Sequence, residues 1–90
     1  MAISRDIEII NKLGMHARAA AKFVKVASEF SSNVEIERNG QRVNGKSIMG
    51  VMMLAANKGS MITLHMDGDD EQRGMDKIVD LINDRFGEDE

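Results

Sequence analysis

Cysteine and proline are both absent from this chain, and its aromatic residues amount to three phenylalanines. Without cysteine there is no disulfide, no thiolate metal site and no cysteine nucleophile. Without tryptophan or tyrosine, few rings remain on which bases or sugars could stack. No apolar run approaches the ~18 residues of a membrane span, and Met1–Asp6 carry no signal-peptide pattern. These absences point to a cytoplasmic protein with no membrane insertion. Twelve basic residues against fifteen acidic ones leave a formal charge of −3, which argues against nucleic acid as a partner.

What is present suits a small globular protein. Ninety residues, 42% hydrophobic and 30% charged, make one domain spanning 1–90, because two cores would each be too small to bury enough apolar surface. Methionine is common at eight, and Met49, Met52 and Met53 fall in one short segment. Such side chains suit a flexible, polarizable surface.

Ser4–Ile10 alternates, with Ile7 and Ile9 opposed by Asp6 and Glu8, and reads as a strand. Asn11-Lys12-Leu13-Gly14 is a loop. From Met15 or His16 to about Phe30, a helical stripe takes in Ala17, Ala20, Ala21, Val24 and Ala27, with Phe23 and Phe30 alongside. Ser31-Ser32-Asn33 ends it. Val34 and Ile36 alternate with Glu35 and Glu37, and Asn39-Gly40 is a type I′ hairpin signal leading into Gln41–Val43. Ser47 stands where an N-cap belongs, ahead of an apolar helix Ile48–Ala56. Met61–Met66 is a further strand with Ile62, Leu64 and Met66 on one side, and Asp69-Asp70-Glu71 opens a helix through Phe86. The order β-α-β-β-α-β-α, with one-sided strands, predicts an α+β fold: a small antiparallel or mixed sheet with its helices on one face.

His16 is the first candidate for chemistry. It opens a helix, where unpaired backbone N–H groups and the positive end of the dipole make an anion site, and Arg18 follows two residues on. An ordinary imidazole titrates near pH 6.5, so much of it is a neutral nucleophile at cellular pH. A plain surface histidine at a loop–helix junction is the competing reading. Ser47 has a sufficient explanation as an N-cap worth about 1 kcal/mol. Val51 and Leu54 share one face of their helix and Ile48, Met49 and Met52 another, so a segment apolar all round leaves one face exposed. Gly40–Ser47 spells the G-x-x-x-x-G-K-[ST] pattern of a P-loop, but its middle reads as a hairpin arm and the chain is short for a nucleotide-binding core. His65 sits in a strand facing solvent; with His16 alone it makes no metal site. Glu88-Asp89-Glu90 reads as a solvated tail.

Two segments carry a resemblance. Gly14-Met15-His16-Ala17-Arg18, followed by Ala20 and Ala21, is similar to the active-site segment of the histidine-containing phosphocarrier proteins (HPr) of the bacterial sugar phosphotransferase system. Asn44-Gly45-Lys46-Ser47-Ile48-Met49 resembles that family's regulatory serine segment. Their separation, the chain length and the element order match too, so the resemblance spans essentially the whole chain. It implies an open-faced sandwich: a four-stranded antiparallel sheet with three helices on one side.

By this resemblance His16 carries a phosphoryl group that enzyme I takes from phosphoenolpyruvate and that passes on to enzyme IIA domains. Arg18 steadies the phosphate. Ser47 is a regulatory site for HPr kinase/phosphorylase, and the partner surface comprises Ala17, Lys25, Lys46, Ile48, Met49 and Met52. The protein is then a monomeric carrier rather than an enzyme, with no cofactor and no metal. One departure stands out: the family's pattern has proline after the arginine, and here it is Ala19. Alanine there restores one backbone donor to the first helical turn.

Two rival functions remain. A regulatory module would use the same surface, with His16 or Ser47 as the switch, to bind transcription factors or kinases by phosphorylation state; some members of the family it resembles act in a nitrogen-related branch with little role in sugar transport. A nucleotide-binding protein would rest on the P-loop match.

Overall fold

The computed structural model describes residues 2–90; Met1, part of the segment read for a signal peptide, lies outside the described residues. The elements are β1 (Ile3–Glu8), α1 (Ala17–Ala27), β2 (Asn33–Arg38), β3 (Gln41–Asn44), α2 (Ile48–Met53), β4 (Met61–Asp67) and α3 (Glu71–Asn83), followed by a 3-10 turn at Arg85–Gly87. The strands form one antiparallel sheet in the order β1-β4-β2-β3.

Alternation decides the layers. Opposite Ile62 and Leu64 of β4 stand Ile7 of β1 and Ile36 of β2, and Val34 faces Met66. All six side chains are buried and join one hydrophobic cluster with residues from all three helices. The alternate positions, among them Asp6, Glu35, Glu37, Thr63 and His65, line the sheet's other, open face. The fold is an α+β open-faced sandwich.

Asn39 and Gly40 have φ of 52° and 81°, the two left-handed residues a type I′ turn needs. The Gly40–Ser47 pattern is therefore a hairpin turn, an edge strand and a loop, with no strand-to-helix phosphate loop in it.

Three local expectations change. The buried face of α1 is Ala19, Ala20, Phe23 and Ala27, whereas Ala17 and Ala21 are exposed. At about 100° per residue the buried four fall within one arc, half-buried Val24 flanks it against the core, and Ala17 and Ala21 lie farther round. Small side chains at 19 and 20 leave room for the sheet.

α2 stops at Met53 rather than Ala56, because Ala55 turns left-handed at φ 49° and Arg38 Nη1 donates to the carbonyl of Leu54 at 3.0 Å. α3 stops at Asn83. Phe86 still reaches the core, but from a segment in which Arg85 and Phe86 both have φ of 55°.

Candidate functional site

The loop before α1 is pinned by Gly14. Its φ is +68°, and a Cβ there would lie 2.7 Å from the carbonyl oxygen of Ala56 and 2.8 Å from Cα of Asn57. Only glycine permits that approach. The next residue, buried Met15, donates its N–H to Ala56 O at 2.8 Å. His16 follows as the N-cap of α1, in extended conformation, with its carbonyl accepting from the Ala20 N–H at 2.8 Å.

The imidazole is held from both sides. Nδ1 accepts the Arg18 N–H at 3.3 Å, and Nε2 lies 2.5 Å from Oε2 of Glu88. An accepting Nδ1 carries the lone pair, so this pattern assigns the ring proton to Nε2, from which it is donated to the carboxylate. The ring remains 27% exposed, enough for an incoming group to reach it.

Glu88 departs from the reading of Glu88–Glu90 as a solvated tail, whereas Asp89 and Glu90 are exposed. Oε1 of Glu88 accepts from Nδ2 of fully buried Asn11 at 3.0 Å, and that same amide donates to the carbonyl of Gly14 at 2.8 Å. Burial pushes the Glu88 carboxyl upward, but hydrogen bonds from Asn11 and His16 and the charges of His16 and Lys22 outweigh it and hold it below its ordinary value. Glu90 is tied down as well: its carbonyl accepts from the Lys12 N–H at 2.5 Å, and its carboxylate lies 3.2 Å from Lys12 Nζ. These contacts join residues more than seventy positions apart, for which local sequence has no signal. Together Lys12, Leu13, His16, Ala17, Arg18 and Glu88–Glu90 line an open cleft of about 800 Å³.

Ser47 sits at the start of the other short loop–helix junction. Its Oγ accepts the Gly50 N–H at 3.1 Å, so it is the N-cap of α2. Val51 and Leu54 are buried while Ile48, Met49 and Met52 are exposed, the split that their spacing predicts. Met53, read with Met49 and Met52 as suited to a polarizable surface but not placed on the partner face, is 64% exposed beside Met49 at 72%; their i, i+4 spacing was the signal that joins them.

Lys25 is exposed in the last turn of α1. Lys46 is half-buried and spends its ammonium on the carbonyl of Phe30 at 2.7 Å, closing the turn after α1 rather than adding unattached charge to the apolar patch. His65 is not simply solvent-facing either: Nε2 is 2.8 Å from Glu37 Oε1 and the side chain is 20% exposed. Among the described residues no group of His, Cys, Asp or Glu side chains is placed to hold a metal ion, and no helix is long and apolar enough to cross a membrane.

Residues 3–84 match the family model described as "PTS HPr component phosphorylation site". The chain belongs to the HPr family. It is 58% identical over 88 residues to phosphocarrier protein HPr of Cupriavidus necator, covering 98% of this chain and 99% of that one. Its fold superposes on the crystal structure of HPr-C-His from Thermoanaerobacter tengcongensis with a TM-score of 0.94 at 46% identity, covering 98% of this chain and 99% of the other. An HPr dimer from the same organism aligns with a TM-score of 0.78 at 50% identity, over 91% and 94% of the two chains. This HPr family member is thus a phosphocarrier of the phosphotransferase system. Its match to the family model ends before Glu88.

Proposed function

We propose that Nδ1 of His16 accepts a phosphoryl group from the phosphohistidine of enzyme I, charged by phosphoenolpyruvate, and yields it to enzyme IIA domains. The observation that carries this reading is the placement of the Nδ1 lone pair at the N-terminus of α1, with Arg18 beside it in the cleft. In the transfer, Nδ1 forms a bond to phosphorus as the donor's N–P bond breaks, and that electron pair returns to the donor imidazole. Amide groups and dipole at the helix start favour the incoming negative charge, and the Arg18 guanidinium adds a donor. Partner imidazole and His16 are chemically alike, so the exchange is nearly thermoneutral and depends on positioning. The chain acts in the cytoplasm as one carrier domain, turned over by its partners rather than as an enzyme, and it needs no cofactor or metal.

The partner surface in this reading is Ala17, Lys25, Lys46, Ile48, Met49 and Met52. Lys46 contributes there by packing more than by charge. Ser47 is the regulatory residue: HPr kinase/phosphorylase would place about −1.5 to −2 charges where α2 starts, at the margin of the apolar patch. That charge is compatible with the helix and would repel partners presenting acidic surfaces, as enzyme I and IIA domains do in the family. A monomer suffices for transfer, although the Thermoanaerobacter relative has been crystallised as a dimer; sedimentation of this chain decides the state.

Incubation with purified enzyme I and labelled phosphoenolpyruvate tests the central reading. An acid-labile, base-stable label that His16→Ala abolishes is the expected result. A label that survives that substitution, or no label on the wild type, overturns it.

A further inference from the structure

We propose that Glu88 is a positioning residue for phosphoryl transfer: it holds the Nε2 proton of His16 and balances the charge that the ring gains when Nδ1 bonds phosphorus. The inference rests on His16 as phosphoryl acceptor and concerns how that acceptor is prepared.

When the Nδ1 lone pair forms the P–N bond, no proton leaves the ring. Nε2 keeps its hydrogen, and the phosphorylated imidazole becomes cationic. A carboxylate already 2.5 Å from Nε2 meets that charge where it appears. The onward step has the same requirement. With Nε2 protonated, the ring departs from phosphorus as neutral imidazole; without that proton it would depart as an imidazolate, a far poorer leaving group. An adjacent anion favours the protonated, charged ring. This is how a carboxylate behind a histidine works in other catalytic arrangements.

Glu88 is a built contact. Asn11 Nδ2 holds Oε1 while His16 engages Oε2. The chain reaches this point through Arg85, Phe86 and Gly87, with φ of 55°, 55° and 78°, a left-handed run that turns it back from α3 toward α1. Two non-glycine residues in that region are strained, and strain of this kind persists only where surrounding contacts enforce it. Here Phe86 is fully buried and its carbonyl accepts from Lys22 Nζ at 2.6 Å. The other charges around the cleft are Lys12, Arg18 and Lys22 on one side of the balance and Asp89 and Glu90 on the other; Glu88 is the one hydrogen-bonded to the ring.

The test compares wild type, Glu88→Gln and Glu88→Asp, each phosphorylated by enzyme I. Phosphoryl loss to water and transfer to a IIA domain are followed from neutral to alkaline pH, with ¹⁵N spectra of the ring. In Glu88→Gln the alkaline fall-off in transfer moves down by about one pH unit, so that above the wild-type fall-off transfer is about tenfold slower. Glu88→Asp recovers part of the difference, and all three remain fully folded at the assay pH. A wild-type profile in Glu88→Gln overturns the proposal, as does equal slowing at every pH, the mark of a displaced loop. Failure of the wild type to take label on His16 defeats the carrier reading itself. A labelled His16 with an unmoved profile defeats only the role of Glu88.

Discussion

α1 and α2 both begin at a residue in extended conformation whose side chain accepts a backbone N–H: His16 from Arg18 at 3.3 Å, Ser47 from Gly50 at 3.1 Å. The same local device serves different ends. The His16 bond is longer than a normal N–H hydrogen bond, leaving the Nδ1 lone pair open to an electrophile, and the far side of its ring is braced by Glu88. The Ser47 bond has ordinary length and the hydroxyl is a weak nucleophile, so its chemistry must come from a kinase. A helix start offers an anion a home; what reacts there depends on the capping atom and on what stands behind it.

The largest effect is expected where the first junction is pinned. Gly14→Ala puts a Cβ against the backbone of Ala56 and Asn57 and a side chain at φ +68°. The substitution should cost about 2–4 kcal/mol, from left-handed strain plus overpacking, read as a lowered urea midpoint. It should also slow phosphoryl uptake, since Met15 and His16 must shift. Unchanged stability would show that the two junctions are not held differently after all.

Ser47→Ala ranks next and sharpens the contrast. Loss of this cap should cost about 1 kcal/mol, while Ser47→Gly should cost only a few tenths. In a Glu88→Gln background, where the contact of Nε2 with a carboxylate is already gone, His16→Ala removes a longer, weaker cap bond and should lower the midpoint less than Ser47→Ala does; in the wild type it abolishes labelling. If the two alanine variants proved equally destabilised, the long His16 bond would be a true cap and its lone pair less available than argued.

Local patterning made much of this legible. Alternation at Ile62, Leu64 and Met66 placed β4 on the core, Asn39-Gly40 placed the hairpin, and Ser47 marked the start of α2, each within a few neighbouring residues. The phase of α1 was not legible, because Ala19-Ala20-Ala21 offers no contrast of hydrophobicity to orient a helix. Nor was the stop of α2, where a left-handed Ala55 carries no residue signal. His16 and Arg18 were readable as a pair two apart. Glu88 and Asn11 were not, for their contacts exist only after a left-handed turn has brought the chain end back across the fold.

α3 supplies the third helix start and the smallest effect. Asp70 occupies the N-cap position and yet its side chain makes no cap hydrogen bond. Its carboxylate reaches instead to the loop after α1, accepting from the N–H of Ser31 at 2.9 Å, the N–H of Ser32 at 3.0 Å and the Ser32 hydroxyl. Led by the Ser32 hydroxyl, these donors lower its pKa from an ordinary 3.8 to about 2. The unfolded chain therefore takes up this proton first as pH falls. The resulting stabilisation is complete above about pH 4, declines below it and is gone once pH has passed about 2. Glu88, also held low, loses its contribution in the acid range too, so the two must be separated by substitution. Urea midpoints measured down the acid limb should fall less steeply in Asp70→Asn than in wild type, with Glu88→Gln removing a different part of the slope. Solvent reaches the Asp70 carboxylate, which keeps the effect small. An Asp70→Asn limb that parallels wild type would mean that this helix start braces the loop no better than water does.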